Sequence, residues 1–196
     1  MEISLFPLST VLLPGGSLSL QLFEPRYLEM AAHCLKTNST FGVVLIKKGN
    51  ETGSPANTFT TGTMARISEW DRLDNGMLGI QCTGEQIFSI QHRKTQKLNL
   101  QSAMIEFVED VSFDPLPASY LAFLELWRRL QYTADLFIPA QPLNAWNELY
   151  RFCDAVNIPV NIKQNVLESS DLEVTADLLL GVAQKVDISI NEKYQQ

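Results

Sequence analysis

Between Leu5 and Met30 the chain reads LFPLSTVLLPGGSLSLQLFEPRYLEM, apolar enough to suggest a membrane segment but broken by Pro7, Pro14 and the Gly15-Gly16 pair. A spanning helix needs about 20 uninterrupted apolar residues, and no window here approaches that. A secretory signal is not expected either. There is no basic leader, Glu2 is acidic, and Pro14-Gly15-Gly16 splits the stretch into two pieces shorter than a signal core. The opening must therefore be part of a folded domain. Leu18, Leu20 and Leu22 alternate with Ser17, Ser19 and Gln21, the period-two pattern of a half-buried strand, with Pro14-Gly15-Gly16 as the turn before it. After Phe23 the spacing becomes helical: Tyr27, Met30, Ala31 and Cys34 share one face, and Pro25 suits the first turn. Strand hands over directly to helix at Glu24-Pro25.

From Thr40 to about Asp110 the pattern stays strand-like. Phe41 to Ile46 is a short apolar run, and Gly49 to Thr58 is a polar loop. Thr61 to Trp70 and Met77 to Cys82 flank Leu73-Asp74-Asn75-Gly76, where Asn-Gly signals a hairpin. Further strands are expected at Gln86 to His92 and Leu98 to Val108. Pro115 and Pro117 then mark a change of texture, and helices are expected near Ala118 to Tyr132, Asn144 to Val156, Val160 to Ser169 and Leu172 to Asp187. The chain thus reads as α+β, with a β-rich part over residues 1–112 and a helical bundle over 113–196. Four short helices bury their apolar stripes only by packing together, and they are expected to dock on the β-rich part.

Composition narrows the function classes. With 196 residues, 45% of them hydrophobic, the chain can bury one good core or two modest ones. Its formal net charge of -7 repels a phosphate backbone over most of the surface. The three cysteines, Cys34, Cys82 and Cys153, are odd in number and far apart, which suits neither a disulfide framework nor a zinc cluster, so a reducing cytoplasm is expected and no metal or cofactor is assigned.

Several blocks together resemble one family. Leu5-Phe6-Pro7-Leu8, Leu13-Pro14-Gly15, Leu20 and Phe23-Glu24-Pro25-Arg26-Tyr27 closely resemble the start of the Lon N-terminal domain, the substrate-recognition module of Lon proteases that also occurs alone and in cereblon-like adaptors. The similarity continues at Gly62-Thr63-Met64-Ala65-Arg66-Ile67. It is looser at Gly84 to Phe88, where Ile87 stands in place of a frequent arginine, and it resumes at Lys163-Gln164 and Leu167-Glu168. The resemblance implies a PUA-like β pseudo-barrel followed by a helical bundle. It also implies a non-catalytic module that binds protein or unfolded polypeptide segments, as an adaptor in protein quality control. Pro14, Gly15, Phe23, Glu24, Pro25, Arg26 and Tyr27 have turn and cap chemistry and are expected to hold the fold rather than touch a ligand.

Other chemistries find less support. The sequence has no Gly-x-x-x-x-Gly-Lys-Ser/Thr and leaves no room for the ATPase and Ser-Lys peptidase of full Lon proteases, so neither activity is expected. His33 and Cys34 are neighbours on a predicted helix and point about a hundred degrees apart, poor geometry for a base and its nucleophile. The run His92-Arg93-Lys94-Thr95-Gln96-Lys97 is the one local argument for the rival reading, an RNA-binding PUA-like protein, but it has no interleaved aromatics. For a partner-binding face, alternation along Gly62 to Trp70 turns Ala65 and Ile67 to the core and leaves Met64, Arg66 and Trp70 together on the other side. An aromatic, a methionine and an arginine match the composition of interface centres.

Overall fold

The computed structural model describes residues 1–109, 115–133 and 144–184. It divides into two compact units, Met1–Glu109 and Asp110–Gln196. The first unit contains β1 (Glu2–Leu8), β2 (Ser17–Leu22), α1 (Pro25–Thr37), β3 (Phe41–Lys48), β4 (Asn57–Arg72), β5 (Leu78–Thr95) and β6 (Gln101–Phe107). The second contains α2 (Ala118–Thr133), α3 (Ala145–Ala155), α4 (Val160–Glu168) and α5 (Leu172–Ala183). The chain is α+β, as its pattern indicates. Asp187, the expected end of the last helix, lies outside the described residues.

The sheet runs β2-β5-β4-β3-β1-β6, and a further pairing of β5 with β6 closes five of the six strands into a ring. Closure covers the inner face of the ring, and α1 covers part of the outer one. Ile3, Leu5, Val44, Met64, Phe88, Ile90, Ala103 and Ile105, drawn from all five ring strands, form the interior cluster. A second cluster lies outside, where α1 presents Tyr27, Met30, Ala31 and Cys34 to Phe6, Phe41, Val43, Ala65, Ile80 and Cys82. β1 therefore buries both faces and does not alternate, which is how a strand in the middle of a covered sheet reads.

Two expected strands, Met77 to Cys82 and Gln86 to His92, are one continuous strand of 18 residues. Gly84 at its middle marks a close approach, not a break: a Cβ there would stand 2.2 Å from the Leu13 carbonyl oxygen. Its N–H donates to the Gly16 carbonyl, and its carbonyl accepts from Gly15 N–H, each at 2.9 Å. Because β5 is so long, its first half runs past the ring. There it pairs with β2 on one side and with Arg66 to Arg72 of β4 on the other, making a three-stranded arm.

The helical unit is built around aromatic side chains. Phe152 of α3 meets Phe123 and Trp127 of α2 edge to face, with ring centroids 5.3 Å apart in both cases. Trp127 Nε1 donates to the buried Glu148 carboxylate at 3.2 Å, so the indole N–H is satisfied inside the core. In α5, Leu172, Ala176 and Leu179 are fully buried, whereas Val182 and Ala183 at the end of the same stripe are only half-buried. Among the described residues no helix is long and apolar enough to cross a membrane.

Candidate partner-binding surface

The Phe23-Glu24-Pro25-Arg26-Tyr27 block divides its labour. Glu24 is the N-cap residue of α1 and Pro25 occupies its first turn. Tyr27 is buried, stacks on Phe6 at 4.0 Å between centroids, and has its pKa raised by desolvation. Arg26 is also buried. Its guanidinium lies 2.8 Å from the Glu24 carboxylate, donates to the Asn99 carbonyl at 3.2 Å, and covers the Tyr27 ring at 4.6 Å. The residue it holds by the backbone, Asn99, has a φ of 63°, and Leu98 beside it has 58°. Arg26 thus ties the first turn of α1 to a left-handed turn just before β6. Pro14 and Gly15 stand at the reversal into β2.

Phe23 differs from the rest of its block, being 55% exposed. It opens onto a groove of about 430 Å³ at the tip of the arm, lined chiefly by Leu22, Phe23, Leu28, Trp70, Met77 and Leu78, with Arg72 and Asn75 at its side. Trp70 is 62% exposed. Two large aromatic side chains held open to solvent over an apolar floor are uncommon on a protein surface, where most of such area is covered.

The structure does not bring Met64, Arg66 and Trp70 together. Met64 is 2% exposed and belongs to the ring interior. Ala65 and Ile67 do share a face, but it is the one packed under α1 rather than the ring interior. A register shift between Ile67 and Glu69 then inserts an extra residue and reverses the alternation, so Trp70 pairs with Ile80 and turns to the α1 side. Arg66 stays on the opposite side. It pairs with Glu85, and its Nη1 donates to the Asn38 carbonyl at 3.2 Å, closing the C-terminus of α1. The Glu85 hydrogen bond pushes the Arg66 pKa up. Of the three residues, Trp70 alone lines the arm-tip groove. Phe23, Leu28 and Met77 are the residues that alternation along one strand had no means of finding, because they come from three other segments.

Two other concavities among the described residues are of other kinds. One of about 500 Å³ beside the start of β1 is lined by Glu2, Glu29, His33, Arg66 and Gln96, and its charges are already engaged in part, Glu2 with Lys94 at 3.6 Å and Arg66 with Glu85. One of about 590 Å³ lies along the outer face of α2, over Leu121, Leu124 and Tyr132. In the basic run, Arg93 donates to Thr58 Oγ1 at 2.6 Å and to the Phe59 carbonyl at 2.7 Å, and burial lowers its pKa. Two cations of that run are thus turned toward the protein's own groups. Cys34, Cys82 and Cys153 are buried free thiols, and no metal-binding cluster occurs among the described residues.

The profile of the ATP-dependent protease La (LON) substrate-binding domain matches residues 2–185. Comparison with curated proteins found none that matches. Among solved structures, the chain is similar to a Lon N-terminal domain protein from Xanthomonas campestris, with 27% identity and a TM-score of 0.74 over 92% of this chain and 98% of that one. It is also similar to the N-terminal domain of Mycobacterium avium complex Lon protease, with 14% identity and a TM-score of 0.69 over 94% and 99% of the two chains. The second likeness is one of fold.

Proposed function

The chain belongs to the ATP-dependent protease La (LON) substrate-binding domain family, and on that premise we propose that it is a non-catalytic module that captures apolar segments of unfolded or partly unfolded polypeptides in the groove of Phe23, Leu28 and Trp70. The observation that carries the proposal is the pair of exposed aromatics over an apolar floor, since aromatic anchors in pockets supply most of the energy of polypeptide binding. Buried thiols suit work in a reducing compartment such as the cytoplasm. The proposal includes an adaptor role, in which captured chains are passed to a protease.

The direct test is fluorescence anisotropy with labelled, reduced and carboxymethylated lactalbumin, a permanently unfolded polypeptide. Wild-type protein should bind it and ignore the native, disulfide-bonded form. Casein incubated with a clean preparation should remain intact with and without ATP. Equal affinity for native and unfolded lactalbumin would defeat the proposal, as would ATP-dependent casein cleavage.

A further inference from the structure

Around the ring each strand is paired on both sides, but β2 ends the sheet: among the described residues it has β5 on one side and no strand on the other. The bond from Gly84 N–H to the Gly16 carbonyl sets the phase of the β2–β5 ladder. Bonded pairs recur at every second residue, so Leu18, Leu20 and Leu22 direct their backbone groups to β5 while Ser19 and Gln21 turn theirs outward. No backbone or side-chain group of another described residue bonds those outward N–H and C=O groups.

The arm has a second open edge, on β4 beyond Ala65, the last β4 residue that pairs with β3 in that direction. That edge carries Glu69, Asp71 and Arg72, the charges with which exposed edges commonly resist pairing. β2, Ser17 to Leu22, has no charge and no proline. One edge of the same small sheet is guarded, and the other is left able to pair at Ser19 and Gln21. The unguarded strand also leads directly into the groove through Leu22 and Phe23.

We propose that the outer edge of β2 accepts an extended apolar segment of a client polypeptide as an added strand, and that the Phe23, Leu28 and Trp70 groove takes a side chain of that segment. The inference rests on the polypeptide-capture function proposed above and adds its mode of recognition. Backbone pairing reads no side chains, so it serves clients of varied sequence, while the adjoining pocket supplies the preference for apolar ones. A second copy of this chain fits the edge less well. A short edge of this kind gives a second copy little surface to bury, and a stable protein interface buries roughly 1,200–2,000 Å².

Proline at Gln21 removes an N–H that β5 does not use, and its φ is compatible with extended backbone at an edge. With the full chain and carboxymethylated lactalbumin as the probe, Gln21→Pro should raise Kd about tenfold, whereas Gln21→Thr, which keeps the N–H, should stay within about twofold. Hydrogen exchange at the Ser19 and Gln21 amides of the wild type should slow about tenfold when the probe is bound. If Gln21→Pro binds like wild type, or if the wild-type amides exchange at the same rate with and without the probe, the edge is not used. Should Gln21→Pro fail to fold, the wild-type exchange decides alone. A wild type that binds no unfolded probe at all would remove the underlying function together with this mode, whereas binding without edge protection would remove the mode only. A client-free dimer dissolved by Gln21→Pro, with client binding intact, would assign the edge to a second copy and overturn the proposal.

Discussion

Phe88 lies directly across the β4–β5 ladder from Gly62, and a Cβ added at that glycine would stand 2.8 Å from the Phe88 ring. The same Cβ would meet the Val43 carbonyl oxygen at 2.3 Å. Phe88 is fully buried, so the ring interior is filled by an aromatic side chain for which β4 makes space by omitting its own. Gly62→Ala should therefore destabilise the protein by about 1–3 kcal/mol, the usual cost of overpacking, measured by urea denaturation. Adding Phe88→Leu should not restore stability, because the backbone oxygen of Val43 cannot move aside as a side chain can. Full recovery in the double variant would show that the ring alone sets the constraint.

Arg26 offers a second prediction. Arg26→Met keeps much of the packing over Tyr27 but leaves the Glu24 carboxylate and the Asn99 carbonyl without their donor. A loss of about 2–3 kcal/mol is expected, in the range for a hydrogen bond to a charged group plus a broken pair that is largely out of water. Hydrogen exchange should quicken around Leu98 to Leu100 more than in β3. An unchanged melting curve would mean that the turn before β6 holds itself.

Met64 and Trp70, six positions apart on one strand, should behave oppositely. Met64→Ala removes a side chain from the ring interior and should cost about 2–5 kcal/mol in stability. Trp70→Ala removes an exposed side chain and should change stability by no more than about 0.5 kcal/mol, while weakening capture of carboxymethylated lactalbumin. A Trp70→Ala protein that is strongly destabilised, or that captures the probe undiminished, would take Trp70 out of the binding surface.

The thiols make a prediction about pH. Burial pushes Cys82 and Cys153 from the ordinary value of 9.0 up to about 12, and raises Cys34 as well. A thiol whose pKa is raised on folding contributes its full stability below the unfolded value, and loses it as pH rises through the folded one. Stability should therefore be insensitive to these groups below about pH 9 and fall progressively between about pH 9 and 12, where the unfolded chain gives up protons that the native one retains. Titration with a chromogenic disulfide reagent at pH 8 should find all three thiols slow in the native protein and fast in urea. Rapid native labelling of Cys153 would contradict its burial.

Local chemistry made much of the fold legible from sequence. Pro25 at a helix start, alternation through Ser17 to Leu22, Asn75-Gly76 at a hairpin and the helical period after Pro117 each depend on residues close together in the chain, and each corresponds to an element in place. The family blocks were legible for the same reason, since turns and caps constrain residue identity at fixed offsets. Ring closure and the choice of surface were not. Alternation separates two faces of a strand, but it does not say that both are buried, and the β5–β6 pairing that buries Met64 joins residues remote from it in sequence. One extra residue between Ile67 and Glu69 was enough to send Trp70 to the other side of the sheet. The groove gathers Phe23, Leu28, Trp70 and Met77 from the end of a strand, a helix, a second strand and a hairpin tip. The sequence by itself determined the elements and their order, because propensity and turn chemistry are local. Only the tertiary structure decided which apolar side chains stayed in water, because exposure depends on what packs above a residue after the chain has closed.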